Sequence, residues 1–338
     1  MRTAASVETW LYPADRGLYC AAGDFYIDPH SAVDRAIVTH GHADHARPGH
    51  SHVLATPETC RIMQTRIGDN AAGEFQPERL GQAVKVGDAT VTLVPAGHVM
   101  GSAQVVIEHA GQRAVVSGDY KRRTDPTCEA FEVVTCDVFV TEATFGLPVF
   151  RHERDDREID RLLRSIQTVP DRTHLIGVYG LGKCQRLIKL LRLAGYDETI
   201  WLHGALKAMC ELYDELGIEL GHVRLVSEAD DPKLSGKIVM CPPGALNDRW
   251  SRRMADPLVV LASGWMRVRG RARQRGVELP LIISDHADWG ELIQTIEETQ
   301  AEEVWVTHGR EEALVRQLEL MGRCGRALAL VGREDETE

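Results

Sequence analysis

Short apolar runs broken by glycine and aspartate dominate the chain up to about Gly146. Val91-Thr92-Leu93-Val94, Ala103-Gln104-Val105-Val106-Ile107, Ala114-Val115-Val116 and Val138-Phe139-Val140 have the length and β-branched content of strands. This part predicts stacked sheet. From Arg151 the pattern changes, and charged segments with helical spacing alternate with single strands: Asp155 to Thr168, Leu175-Ile176-Gly177-Val178, Lys183 to Ala194, then Thr199-Ile200-Trp201-Leu202. Such alternation predicts βαβ units around a parallel sheet. Leu281-Ile282-Ile283-Ser284 and Glu303-Val304-Trp305-Val306 then read as returning strands, each followed by a histidine. The expected organisation is a discontinuous first domain, 1–150 plus 276–338, with a second domain inserted over 151–275.

A chain of 338 residues, 43% hydrophobic, has ample material for a core, which excludes disorder. No run of about eighteen apolar residues occurs, and Met1 to Trp10 lacks the apolar core of a signal peptide, so a cytoplasmic protein with no membrane segment is expected. The eight cysteines contain no Cys-x-x-Cys pair and read as reduced thiols, which argues against a disulfide framework or a zinc ribbon. A formal charge of −11 argues, taken alone, against a nucleic-acid partner. Basic residues are unevenly placed, however. Arg267, Arg269, Arg271, Arg273 and Arg275 fall at every second position and would share one face of an extended segment.

The densest chemistry is His40-Gly41-His42-Ala43-Asp44-His45, directly after the apolar run Ala36-Ile37-Val38-Thr39. Three imidazoles and a carboxylate on a loop beyond a strand can turn inward together, and neutral imidazole with carboxylate suits Zn, Mn or Fe. Further polar residues each end an apolar run: Asp28, His98, Asp119, Glu142, His286 and His308. Any one alone reads as a satisfied turn residue; six in succession do not. A second pattern, Gly177 to Cys184, matches a phosphate loop except that Cys184 stands where Ser or Thr should hold magnesium. An ATPase reading lacks an aspartate partner, but a glycine turn presenting Lys183, with Arg186 one helical turn on, would cradle a nucleic-acid phosphate. Beside the arginine run, Trp265 reads as packing before base stacking, and Arg267 and Arg269 are the better candidates for nucleic-acid contact.

In the order of these residues the chain resembles the metallo-β-lactamase superfamily, and within it the β-CASP nucleases. Asp28, the His40 to His45 block, His98 and Asp119 stand as the four superfamily motifs, and Glu142, His286 and His308 as the three further ones, with the insertion between the first and second of these. The resemblance implies an α/β fold, a metallo-β-lactamase αββα sandwich with an inserted α/β β-CASP domain. It implies two divalent ions, Zn or Mn, one held by His40, His42 and His98 and the other by Asp44, His45 and His308, with Asp119 bridging. Asp28 would then orient the histidines from behind, while His286 serves as general acid with Glu142 orienting it. The short length and the opening segment look like those of the bacterial exonucleases associated with an ATP-dependent DNA ligase and a helicase. That implies a DNA exonuclease of repair, acting on single-stranded or end-containing DNA with those two proteins as partners. His308 departs from the Artemis-like branch, where valine is common, and resembles the RNA-processing branch, so an RNA-processing ribonuclease stands as the alternative. A small-molecule hydrolase would share the first four motifs and has no need of the last three or of the insertion.

Overall fold

Along Ala89–Pro95 every second residue is buried, Ala89, Val91, Leu93 and Pro95, with half-buried Thr90, Thr92 and Val94 between. That period of two fixes one face of a sheet against a core. The computed structural model describes residues 6–231, 233–254, 256–328 and 330, and the chain divides into two units. One takes in the chain up to Pro148 and again from His286; the other is Val149–Asp285.

In the first unit, among the described residues, two sheets face each other. The six-stranded sheet runs in chain order through Leu11–Ala14, Gly17–Cys20, Phe25–Ile27, Arg35–Ile37, His50–Ala55 and Ala72–Pro77, antiparallel at first and parallel from Phe25–Ile27 on. The seven-stranded sheet combines the antiparallel meander Ala83–Val86, Ala89–Pro95, Ala103–His109 and Gln112–Val116 with the parallel strands Val138–Ala143, Glu303–Gly309 and Cys324–Ala327. Leu18, Phe25 and Ile27 of one sheet bury against Val91, Val105 and Val116 of the other. Each sheet's outer face carries a helical layer. Cys60 and Met63 of helix Pro57–Ile67 cover Val38 and Val53, while helices Trp289–Glu298 and Glu311–Leu320 cover Val115, Phe139 and Val304 with Leu292, Ile296, Leu314 and Leu318. The result is an αββα sandwich.

The second unit is a six-stranded parallel sheet in the spatial order Val223–Leu225, Ile200–Leu202, Ile238–Cys241, His174–Gly177, Leu258–Ala262, Leu279–Leu281. Helices Asp155–Thr168, Lys183–Leu193 and Lys207–Glu215 alternate with its strands, so the fold is α/β with an inserted α/β unit. No helix among the described residues is long and apolar enough to cross a membrane.

Three sequence expectations change. The last strand of the inserted sheet is Leu279–Leu281, not Leu281 to Ser284: the Ile282 amide donates to the Glu158 carboxylate at 2.8 Å instead of continuing a ladder. Because this strand pairs Val260 with Leu279 and Ala262 with Leu281, the second division of the chain falls at Asp285 and His286, not at 276. Pro280 is tolerated there because the strand is at the sheet edge. The arginine run is helical, 3-10 over Gly264–Arg267 and α over Arg269–Gln274, so its five arginines do not line one face of an extended segment. Trp265 is packing: its ring meets Phe150 edge-on at 5.0 Å, and the Arg271 guanidinium lies 4.1 Å above it.

Candidate metal centre

The strand Arg35–Ile37 delivers the chain to Thr39 and the histidine loop, and the adjacent strand Phe25–Ile27 delivers Asp28 beside it at φ +43°. Asp28 is buried and fully engaged. Its Oδ1 accepts the Thr39 amide at 2.8 Å, and its Oδ2 accepts the Thr39 hydroxyl at 2.6 Å and pairs with His45 Nδ1 at 2.7 Å. A carboxylate on Nδ1 keeps the proton there and leaves the Nε2 lone pair of His45 facing the centre. Thr39 Oγ1 also lies 3.0 Å from His40 Nδ1.

Two glycines allow the next two groups to approach. Gly97, at φ +72°, precedes His98, and a Cβ there would lie 2.4 Å from the Lys121 carbonyl. Gly118, at φ +55°, precedes Asp119 just beyond the strand Gln112–Val116, where a Cβ would strike Thr39 at 2.8 Å. The Ser102 hydroxyl accepts the His98 amide at 3.0 Å and pins the loop. His308, near the end of its strand, is itself in the left-handed region at φ +61°.

Ligand-type atoms gather in three groups, each with its atoms within 4.8 Å of one another: His40, His42, His98 and Asp119; Asp44, His45 and His308; and Asp119, Glu142 and His286. Asp119 joins the first and third, and its Oδ2 is also 3.4 Å from His45 Nε2. His98 Nε2 and His42 Nδ1 are 2.9 Å apart. Buried polar atoms here with no hydrogen-bond partner include His40 Nε2, Asp44 Oδ2, His45 Nε2 and Asp119 Oδ1. Each such atom costs about 1–3 kcal/mol if it stays unsatisfied. Gathered at one point, nitrogen lone pairs and carboxylate oxygens form a donor set that fits divalent cations.

The electrostatics are those of a site built for positive charge. Burial holds His40 well below the usual imidazole range, and the His45 charge adds to this. Burial opposes the His45 imidazolium too, but Asp119, Asp44 and Asp28 outweigh it and raise that group well above its ordinary value. In turn burial would lift Asp119 and Asp44, and His45 pulls both down below the carboxylate range.

His286 stands beside this group, its ring 4.7 Å from that of His98. Its Nδ1 is 3.1 Å from Glu142 Oε2 and 4.0 Å from Asp119 Oδ2. Glu142 is buried and held in turn by the Tyr120 amide at 2.8 Å. Asp288, two residues on, caps helix Trp289–Glu298 and pairs with Arg123 at 2.9 Å.

The four expected nucleic-acid residues belong to the inserted unit, Val149–Asp285, and none is among the residues of these groups. Arg186 is fully buried, its guanidinium bonded to Asp155 and, at 2.9 Å, to Asp285. Lys183 is 4% exposed, 3.5 Å from Asp285, with its ammonium over the Tyr179 ring. Two carboxylates thus occupy the cations that were expected to meet phosphate, and the glycine turn is a structural clamp. Arg267 and Arg269 are exposed. Sequence reasoning missed Thr39 and Ser102, whose hydroxyls carry no periodic signal.

No protein-family model matches the chain. It is similar to a probable DNA ligase of Opitutus terrae, 27% identical over 304 residues, which are 89% of this chain and 29% of that protein. Endoribonuclease YSH1 of Gibberella zeae is 30% identical over 220 residues, 53% of this chain and 26% of that one. Cleavage and polyadenylation specificity factor subunit 3 of Dictyostelium discoideum is 35% identical over 128 residues, 36% of this chain and 16% of that one. The chain therefore spans 29% or less of the length of these relatives. A protein of unknown function from Enterococcus faecalis shares the fold, with a TM-score of 0.54 and 14% identity over 82% of this chain and 77% of that one. Sandwich, insertion, motif order and relatives together bear out the likeness to the β-CASP branch of the metallo-β-lactamase superfamily.

Proposed function

We propose that the chain is a two-metal phosphodiester hydrolase that removes nucleotides from the ends of DNA. The observation that carries this is the convergence of His40, His42, His98, Asp44, His45, His308 and Asp119, with the His286–Glu142 pair at its side. His40, His42 and His98 would hold one ion and Asp44, His45 and His308 the other, with Asp119 placed to serve both. The ions, Zn or Mn, supply an activated water and neutralise charge on the phosphoryl oxygens when bound. The chain's own residues do the rest. Asp28 fixes the tautomer of His45, and the Glu142 carboxylate beside Nδ1 stabilises the His286 imidazolium, which gives its Nε2 proton to the leaving oxygen.

DNA is favoured by the breadth of the likeness to the protein named a probable DNA ligase, 304 residues. That printed name supports a DNA ligase as partner; a repair setting in the cytoplasm, the ATP dependence of that ligase and a helicase as second partner are proposed from the resemblance of the sequence alone. An RNA substrate is the second reading, supported by His308 and by the relative named an endoribonuclease, matched over 220 residues. End-labelled single-stranded DNA and RNA of one sequence, incubated with manganese or zinc beside an Asp119→Ala control, separate the readings. The expected result is metal-dependent shortening of DNA with the control inactive. RNA cleavage alone would move the chain to RNA processing, and no cleavage of either would return it to small-molecule hydrolysis.

A further inference from the structure

Within the inserted unit, helix Asp155–Thr168 and the segment from Met266 to Arg269 enclose a groove of 580 Å³ floored by Met266, Pro280 and Ile282. One wall carries Arg157, Arg161 and Arg164. At 100° per residue these three project within about 60° of one another, a single stripe down the helix. The opposite wall carries Arg267 and Arg269. Two carboxylates enter the groove. Glu158 is buried, holds Arg161 at 2.7 Å and accepts the Ile282 amide at 2.8 Å. Glu153 lies 3.4 Å from Arg157 and 3.8 Å from Arg267. Five guanidinium groups face two carboxylates, a local excess of three positive charges on a chain whose net charge is −11.

We infer that this groove holds the phosphodiester backbone of a nucleic-acid strand, at a site distinct from the metal centre's own ligands. Guanidinium is the group suited to it: its planar fork of donors matches phosphate oxygens two at a time, and it stays charged at any working pH. The apolar floor excludes a purely hydrated anion site and suits the sugar edge of a strand. The Arg157–Glu153 pair is solvent-exposed, so it is worth little and yields readily to phosphate. The inference rests on the nucleic-acid reading above and names a surface that reading does not need.

The test is binding of a phosphorothioate-linked oligothymidylate, which resists hydrolysis, to the metal-loaded full chain across a salt series. Arg157→Gln/Arg164→Gln removes two contacts from one wall, and Arg267→Gln/Arg269→Gln removes two from the other, at exposed positions where folding is spared. Each single-strand phosphate contact contributes about 0.7 to the slope of log affinity against log salt, so either double variant should lower the slope by about 1.4 and weaken binding about 25-fold at 0.1 M salt. Arg→Lys at the same positions should keep the slope, because the charge count is unchanged. Unaltered affinity and slope in both double variants, with wild type binding normally, would overturn the groove while leaving the nuclease reading intact. A wild-type chain that neither binds nor cleaves any oligonucleotide would overturn both.

Discussion

Replacing Asp28 by asparagine changes one oxygen to an NH2 group at constant shape, and the structure dictates which way the amide must face. Oδ1 accepts the Thr39 backbone N–H at 2.8 Å, a donor that cannot reverse, so the amide oxygen must stay there. The NH2 group then takes the place of Oδ2, 2.6 Å from the Thr39 hydroxyl and 2.7 Å from His45 Nδ1. The hydroxyl can rotate and accept. His45 can accept only by moving its proton from Nδ1 to Nε2, and the lone pair that faces the centre is lost. Disrupting the partner of a ligating histidine lowers metal affinity about 10–100-fold, equivalent to about 1.4–2.8 kcal/mol. Equilibrium dialysis of Asp28→Asn and wild type against a competing chelator reads this directly. Asp28→Ala serves as comparison: it also strands the buried Thr39 amide and should lower folding stability by about 1–3 kcal/mol in urea titration, which the isosteric variant largely avoids. Equal metal affinity in Asp28→Asn and wild type would refute the tautomer argument and leave Asp28 a packing residue.

His286→Ala should keep full metal content and lose about 10²–10⁴-fold in turnover on an oligonucleotide, since neither proposed ion is assigned to His286, which pairs with Glu142. Metal analysis alongside single-turnover rates checks this, and a normal rate would remove His286 from the chemistry. Arg186→Met should destabilise the chain by about 3–5 kcal/mol, because it takes from Asp155 its buried guanidinium partner and leaves Asp285 with Lys183 at 3.5 Å. Urea unfolding measures that cost, and a loss below about 1 kcal/mol would mean the pair is screened like a surface one.

The gathering of the metal-centre residues was readable from the sequence for a reason of geometry. In a sandwich whose strands bury alternate residues, the first residues past a strand's end sit at the rim of the core, so a polar residue closing each apolar run puts them all on one edge. Asp28 after Phe25–Ile27, Asp119 after Gln112–Val116 and the loop after Arg35–Ile37 obey that rule. Periodicity says nothing, however, about what a lone cation will meet. Lys183 and Arg186 follow a glycine turn that resembles a phosphate cradle. What decides their fate is Asp155, 31 residues before Arg186, and Asp285, 99 residues after it. The arginine run differs for a related reason: alternation predicts a strand's period, but Gly264–Arg267 and Arg269–Gln274 are two helical segments, on which five alternate residues have no common face. The cations that line an open groove are instead those of helix Asp155–Thr168 and of residues 267 and 269, two segments about a hundred residues apart in the chain. Charge in this protein is therefore sorted by tertiary pairing. Where a carboxylate from elsewhere in the fold reaches an arginine inside, the arginine becomes structure; where the local surplus stays outside, as in the groove, it is free to meet an anion.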